Sequence, residues 1–425
     1  MKCIILAAGK GVRLLPITES RPKHILPVGG VPLIERIVES LRANNIQDLF
    51  IVVGYKKRAI IEYLDDIIKH STKIKYIEQD EPLGTADSIK LARDYIGKED
   101  FMVIYGDLFI RPRTIERIIR EYHKGKESII GIKTSKKIGD YGIVITENDH
   151  IKRIIEKPTR KVKRTNSINT GIYILNKDVF DGIEETERSI RGEYELTSSL
   201  NIAVQHNVKI RAVSLDEEEW MDIGYPWDLF DANERALNYI KHTIEGAVEN
   251  NVSMIGPVIL EKDAKILSGS RIEGPVFIGK NSILGPNCYL RPYTSIGKNV
   301  RIGSSCEVKN SIIMDGTKIP HLSYIGDSII GTECNLGAGT ITGNVRIDNK
   351  TVKVRIKNNF IDSNLRKLGA IIGDNVKTSI NVNFMPGVKV GSNALIGPNI
   401  VVYEDILSRE KILLEQKFIH KKCED

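Results

Sequence analysis

Up to about residue 240, short apolar runs alternate with stretches whose apolar residues recur at helical spacing. Residues 3–6, 49–53, 74–77, 101–105 and 129–132 predict buried strands, and 33–44, 60–68, 85–96 and 114–123 predict amphipathic helices. That alternation predicts a mostly parallel sheet covered on both faces, with ligands at the carboxyl ends of its strands. After a helical connector at about 225–248 the pattern changes. Apolar residues now recur at every sixth position: Leu260, Ile266, Ile272, Ile278, Leu284, Leu290, Ile296, Ile302, Val308 and Met314. A second series runs Ile372, Thr378, Phe384, Val390, Ile396, Val402. A period of six fits neither a helix nor a flat strand. It predicts a parallel β-helix whose coils have three short flats, with the periodic aliphatic pointing inward.

The rhythm breaks between about 314 and 369, where two one-residue slips bracket 319–327 and a polar, strand-rich excursion carries Lys350 and Lys353. Departures from a repeat are where a solenoid has room for function. Residues 406–425 carry Ile412, Leu413, Leu414 and Phe418 at helical spacing, which predicts a helix capping the last coil. The chain is thus divided into an α/β domain at 1–235, a linker at 236–250, a β-helix at 251–405 and a helical tail at 406–425.

Composition narrows the class. The 425 residues are 41% hydrophobic and 28% charged, as in a globular protein of two or three domains. The net charge of +7 is spread along the chain. That spread fits anionic small substrates at least as well as nucleic acid; the densest basic run, 157–164, has no interleaved aromatic and is expected to be mostly a solvated loop, so no nucleic-acid partner is expected. Five cysteines, Cys3, Cys288, Cys306, Cys334 and Cys423, form no C-x-x-C pair, so a reducing, cytoplasmic setting without a zinc site is expected. No signal peptide is expected, and no apolar run approaches the roughly 20 residues of a membrane span.

The first strand runs into Leu6, Ala7, Ala8 and Gly9, with Gly11 just beyond. Small residues and glycines leave peptide N–H groups uncovered, which suits a polyphosphate. Arg13 and Lys23 add fixed positive charge where pyrophosphate would leave. No Gly-Lys-Ser/Thr closes the loop as in a Walker A motif, and the third glycine of a Rossmann fingerprint is missing. Asp107 and Asp222 each follow a strand-like run. Near a triphosphate, a carboxylate so placed suits Mg²⁺.

With Pro16 and Pro22-Lys23, this loop resembles the signature of the sugar-phosphate nucleotidylyltransferases, G-G-x-G-T-R-L-x-P-x-T followed by P-K. Ala8 replaces its first glycine and Val12 its threonine. The resemblance covers residues 1–235. It implies a Rossmann-like domain in which Leu6, Ala7, Ala8, Gly9, Gly11, Gln79, Gly84 and Thr85 bind the nucleotide, Gln79 reading a pyrimidine edge. It also implies a hexose pocket of Gly142, Glu156, Lys157 and Asn169. A cap made by Thr85 at a helix start is compatible with this role.

In the second half, His321-Leu-Ser-Tyr324-Ile-Gly-Asp327 and Asn335-Leu-Gly-Ala338-Gly-Thr-Ile-Thr resemble the acetyltransferase domain of the bifunctional glucosamine-1-phosphate acetyltransferase/N-acetylglucosamine-1-phosphate uridylyltransferases. Arg291-Pro292 and Glu307-Val308-Lys309 are spaced as in that family. A sugar ammonium must lose a proton before attacking a thioester, and imidazole is matched to accept it. The resemblance makes His321 the base, places Arg291 and Lys309 on the sugar phosphate, and lines the sugar pocket with Tyr324, Asn335 and Lys350. Ala338 N–H would meet the oxyanion and Asn344 would touch acetyl-CoA. The segment after Asn344 departs from the bacterial pattern and resembles the archaeal-type branch, with Lys353 an alternative or additional phosphate contact.

The expected fold is therefore α/β: a Rossmann-like nucleotidyltransferase domain followed by a left-handed parallel β-helix of hexapeptide repeats. The expected reactants are acetyl-CoA, hexosamine-1-phosphate and UTP, or dTTP, with Mg²⁺; the expected assembly is a homotrimer. Two rivals are a thymidylyl- or guanylyltransferase whose β-helix only assembles subunits, and a non-catalytic subunit of the translation-factor exchange type.

Overall fold

The structure, a computed structural model, describes residues 1–68, 72–135, 139–158 and 165–421. Cys423 and most of the basic run 157–164 lie outside the described residues. The chain separates into two compact units. One comprises Met1–Gly11, Arg21–Leu26 and Val31–Gly224, the other Val12–Ser20, Pro27–Gly30 and Tyr225–Asp425.

The first unit is built on a nine-stranded sheet. Lys2–Ala7 lies inside it, parallel to Asp48–Val53 on one side and to Phe101–Tyr105 on the other, with Lys73–Glu78 at the edge. Cys3, Ile4, Ile5 and Ala7 are fully buried, as a strand covered on both faces requires. Ser167–Leu175 runs antiparallel between Phe101–Tyr105 and Ser128–Thr134, and Ile210–Ser214, His150–Ile155 and Ile143–Glu147 complete the sheet. The helix Leu33–Arg42 packs Leu33, Ile34, Ile37, Val38 and Leu41 inward. The stretch expected as one helix at 85–96 is two, Thr85–Leu91 and Arg93–Ile96. A short ladder pairs Leu108–Ile110 with Trp220–Asp222.

The second unit follows the helix Asp228–Leu237 with a left-handed parallel β-helix. Its first strands, Thr243–Ile244 and Ala247–Val248, already stack on the next coil, inside the stretch expected as linker. Leu260, Ile266, Ile272, Ile278, Leu284, Leu290, Ile296, Ile302 and Val308 are fully buried in one continuous column. In the early coils, residues stack on partners eighteen positions on, as Ile278 does on Ile296. Ile296, however, stacks on Ile313, Ile302 on Ile319 and Val308 on Ile325. The inward residue at the first slip is therefore Ile313, not Met314. Met314 is buried, but it lies outside the column. The chain shortens its turn just before Ile313, so the aliphatic register resets one residue early.

The excursion is an antiparallel hairpin, Lys353–Ile356 with Asn359–Asp362, which buries Val352 and Val354. No helix forms at the described residues 406–421. Lys411–Ile412 instead pairs parallel with Leu395–Ile396. The open edge of the last coil offers unpaired backbone groups, and adding a strand satisfies them where an isolated short helix would not.

Among the described residues no helix is long and apolar enough to cross a membrane. Ile302→Ala is expected to lower unfolding free energy by about 2–5 kcal/mol. Ile283→Ala, at a position 37% exposed, is expected to change it by no more than about 0.5 kcal/mol. Urea unfolding of the two variants checks the contrast.

Candidate active sites

A cleft of about 200 Å³ in the first unit is lined by Leu6, Ala8, Gly9, Lys23, Gln79, Gly84, Thr85 and Asp107, among others. Ala7 is buried beneath it. Lys23 forms an ion pair with Asp107. Burial alone would raise the Asp107 carboxyl, but the charge and hydrogen bond of Lys23 hold it below its ordinary value. Asp222 is paired with Leu108 across the short ladder, and Ile223 N–H donates to the Asp107 carbonyl at 3.2 Å. Two carboxylate residues thus stand at adjoining strand ends.

The Gln79 amide is turned into the protein. Nε2 donates to Asp87 at 2.7 Å and to the Gly84 carbonyl at 3.2 Å, while Oε1 accepts from Ser88 at 3.0 Å. Thr85 caps a helix, but not its own: its hydroxyl accepts from Leu196 N–H at 2.9 Å, at the start of Leu196–Gln205. Gly84 has φ +116°, and a Cβ there would lie 2.4 Å from the Tyr194 carbonyl. Only glycine lets these two segments approach so closely.

The hexose-pocket residues also come together. Asn169 N–H donates to the Gly142 carbonyl at 2.8 Å, and a Cβ on Gly142 would stand 2.9 Å from Glu156 Oε2. Glu156 accepts from Thr197 at 3.0 Å and pairs with Arg191 at 3.3 Å. Asn169 is tied to Tyr173 OH, and Lys157 is exposed.

Arg13 is not among the residues lining the cleft. Its segment, Val12–Ser20, belongs to the second unit, where the guanidinium lies 4.8 Å over the Tyr225 ring. Within that unit Glu19 accepts from Ser392 N–H at 3.0 Å and from the Ser408 hydroxyl, while Ser20 donates to Asp374.

On the β-helix, Arg291, Lys309 and Gly326 follow the stacked residues Leu290, Val308 and Ile325 in successive coils. Arg291 pairs with Glu307 at 2.9 Å. His321 stacks on Ser304 and is exposed, at the other end of the segment that continues to Tyr324 and Asp327. Gly339 N–H, beside Ala338, donates to the His321 carbonyl at 3.3 Å. Asn335 bridges Lys318 and Lys377 on the neighbouring face. Lys350 and Lys353 are exposed on the excursion.

A family model described as nucleotidyl transferase matches residues 2–239, and one described as the GMPPB C-terminal domain matches 272–379. The "Bifunctional protein GlmU" of Methanococcus maripaludis is 45% identical over 425 residues, covering all of this chain and 98% of its own. The chain belongs to the GlmU-type family of bifunctional nucleotidyl transferases. A second relative, the "Bifunctional sugar-1-phosphate nucleotidylyltransferase/acetyltransferase" of Sulfurisphaera tokodaii, is 45% identical over 96% of this chain and 98% of its own. A solved UDP-glucose pyrophosphorylase complexed with UDP-glucose is similar to 55% of this chain, with 27% identity and a TM-score of 0.50, over 96% of its own length.

For a GlmU-type chain, the donor set at Asp107 and Asp222 fits a hard divalent cation. Among the described residues no group of three or more metal-ligating side chains exists, so the remaining ligands would come from phosphate oxygens and water. Two residues escaped the sequence analysis. His24 lines the cleft, is 1% exposed and carries a buried Nδ1 with no hydrogen-bond partner among the described residues. Burial, reinforced by Lys23, pushes its pKa down to about 3, so the ring is neutral near pH 7. Its adjacency to Lys23 was the available signal. The other is Asp327, 3% exposed between Lys309 and Asn344.

Gly84→Ala is expected to cost about 1–3 kcal/mol of stability and to weaken nucleoside triphosphate binding. Thermal melting and calorimetric titration check the two effects.

Proposed function

We propose that this chain makes UDP-N-acetylglucosamine in two steps, acetylating glucosamine-1-phosphate with acetyl-CoA and then coupling the product to UTP with release of pyrophosphate. The observation that carries the reading is full-length similarity, at 45% identity, to chains named for both activities. The reading places the chain in the cytoplasm, where both donors are made. It is supported by four buried cysteines that remain free thiols.

In acetyl transfer, His321 takes a proton from the sugar ammonium. The freed amine attacks the thioester carbonyl, the C–S bond breaks, and the second proton lost by the nitrogen goes to the departing thiolate. Ala338 N–H stabilises the oxyanion, Arg291 and Lys309 hold the sugar phosphate, and Tyr324, Asn335 and Lys350 line the acceptor pocket. The proposed assembly is a homotrimer.

In uridylyl transfer, a phosphate oxygen of the sugar attacks the α-phosphorus in line and pyrophosphate leaves, with no protein nucleophile. Gly9 and Gly11 cradle the phosphates; Lys23 neutralises charge that grows on the leaving group. Asp107 and Asp222 would hold Mg²⁺, which when bound supplies further charge neutralisation. Lys23 and Asp107 are paired with each other; in this reading Asp107 would hold the cation and Lys23 would face phosphate. Gly142, Glu156, Lys157 and Asn169 hold the hexose, and Gln79 with Gly84 and Thr85 holds the base. Gln79 Oε1, which accepts only from Ser88, has a second lone pair for a pyrimidine N3–H, whereas donation to a base carbonyl would require Nε2 to release Asp87 or Gly84.

A panel of triphosphates against sugar phosphates tests the reading. UTP with N-acetylglucosamine-1-phosphate is expected to be the best pair, and no UDP-sugar from any pair would refute it. dTTP belongs in that panel, because a Bacillus anthracis structure described as a "Putative Glucose-1-Phosphate Thymidylyltransferase" is 31% identical over 57% of this chain. Lys23→Met is expected to lower uridylyl transfer by about 10²–10³-fold. His321→Ala is expected to lower acetyl transfer by about 10²–10⁴-fold with uridylyl transfer retained. Thiol release and pyrophosphate release, measured separately, check both.

A further inference from the structure

The places where the β-helix drops residues, between Val308 and Ile313, between Ile325 and Ile330 and again between Val402 and Ile406, fall on the same corner. Tyr289–Leu290 reaches Thr294–Ile296 through three residues, Arg291, Pro292 and Tyr293. In the next coil Glu307–Lys309 reaches Ile312–Ile313 through only Asn310 and Ser311, and in the next Tyr324–Gly326 reaches Ile329–Ile330 through only Asp327 and Ser328. One coil further on the excursion leaves from this corner, beginning with Gly343 and Asn344. Stacking the first two shortened turns brings Asp327 N–H to the Lys309 carbonyl at 2.9 Å.

The Asp327 carboxylate is consequently the hub of a closed network. It accepts from Lys309 Nζ at 3.1 Å, from Asn310 Nδ2 at 2.8 Å and from Asn344 Nδ2. A carboxylate this deeply buried is tolerable only when charge-paired and hydrogen-bonded, and here it is both. Asn344 Nδ2 also donates to Tyr324 OH at 3.1 Å. Both amide protons of Asn344 are thereby engaged, which fixes the orientation of the group: an ionised carboxylate only accepts, so the NH₂ must face it. Asn344 Oδ1 is left pointing away as a pure acceptor, and Tyr324 OH keeps its own proton to donate. Gly326 makes room for this arrangement, since a Cβ there would lie 2.4 Å from Tyr324 Oη and 2.8 Å from Asn344 Nδ2.

We propose that Asp327 is a positioning residue for acetyl transfer, pinning Lys309 for the sugar phosphate while turning the Asn344 amide so that its oxygen accepts from an amide N–H of acetyl-CoA. The inference rests on the two-step function proposed above. Neither role requires Asp327 to touch a substrate. The same carboxylate sets two subsites, so its loss is felt by both substrates at once.

Asp327→Asn removes the charge and lets the Asn344 amide flip. It is expected to raise KM for both acetyl-CoA and glucosamine-1-phosphate by about tenfold. The exchanged pair, Asp327→Asn with Asn344→Asp, reverses the hydrogen bond, with the donor now at 327 and the acceptor at 344, and again leaves an outward oxygen at 344. KM for acetyl-CoA is expected to return to within about threefold of wild type, while KM for the sugar phosphate stays raised. A merely structural role predicts no such split, because the double substitution would be at least as damaging as either single one. Gly326→Ala keeps the charge but displaces Tyr324 and Asn344; it is expected to raise KM for acetyl-CoA and, through Tyr324, KM for the sugar phosphate as well.

Uridylyl transfer in the same preparations reports that the chains are folded. An unchanged KM for both substrates in Asp327→Asn overturns the inference. So does an exchanged pair no better than Asp327→Asn, or an unchanged acetyl-CoA KM in Gly326→Ala. Wild-type protein that transfers no acetyl group overturns the proposed function and this inference together; an active wild type with an indifferent exchange overturns the inference alone.

Discussion

The β-helix is governed by the need to return one aliphatic side chain to the interior at every sixth position. The column from Leu260 to Ile325 is fully buried apart from Ile313, which is 1% exposed. A Leu or Ile truncated there costs about 2–5 kcal/mol, so the flats have little freedom to vary. The corners carry no such constraint. They hold three residues at 291–293, two at 310–311 and at 327–328, and a long excursion at 343–370. Variation confined to one corner over four successive coils stacks Arg291, Lys309, Asp327 and Asn344 along one edge of the solenoid.

The first unit obeys a different rule with a similar outcome. A strand buried on both faces is held by its continuous apolar sequence, so chemistry collects where the strand ends. Lys2–Ala7 ends at Ala8 and Gly9; Phe101–Tyr105 ends one residue before Asp107. Gly54 and Gly106 sit at the ends of the two neighbouring strands, where a Cβ would lie 2.9 Å from the Gln79 carbonyl and 2.8 Å from the Leu6 carbonyl respectively. Main chains packed this closely leave a narrow, partly desolvated cleft. In such surroundings the attraction between Lys23 and Asp107 is less screened than on a surface, and the charge and hydrogen bond of Lys23 hold the buried Asp107 carboxyl below its ordinary value.

Much of this was legible in the sequence because apolar periodicity reports burial directly. Strands at 49–53 and 101–105 and the helix beginning at Leu33 follow from it. So does the column of inward aliphatics. The misreadings share one cause: spacing alone does not say what a segment packs against. Leu413, Leu414 and Phe418 have helical spacing, yet the open edge of the last coil recruits Lys411–Ile412 as a strand. Met314 continues the arithmetic of the repeat, but the shortened turn hands its place to Ile313. Asp327 lay inside a motif that had been quoted whole. Its importance is visible only once the stacking of coils shows that Lys309 and Asn344, on either side of it, share one carboxylate.

The claim that the shortened corner, and not the solenoid as such, arranges the acetyl-transfer groups has a direct test. One glycine inserted between Asp327 and Ser328 restores the three-residue turn that the chain already uses at 291–293, so the coil can still close. Thiol release from acetyl-CoA is the measurement, with pyrophosphate release and thermal unfolding of the same protein alongside. The account predicts a folded chain that retains uridylyl transfer and loses acetyl transfer by about a hundredfold or more. Acetyl transfer at the wild-type rate and KM in that folded protein would contradict it.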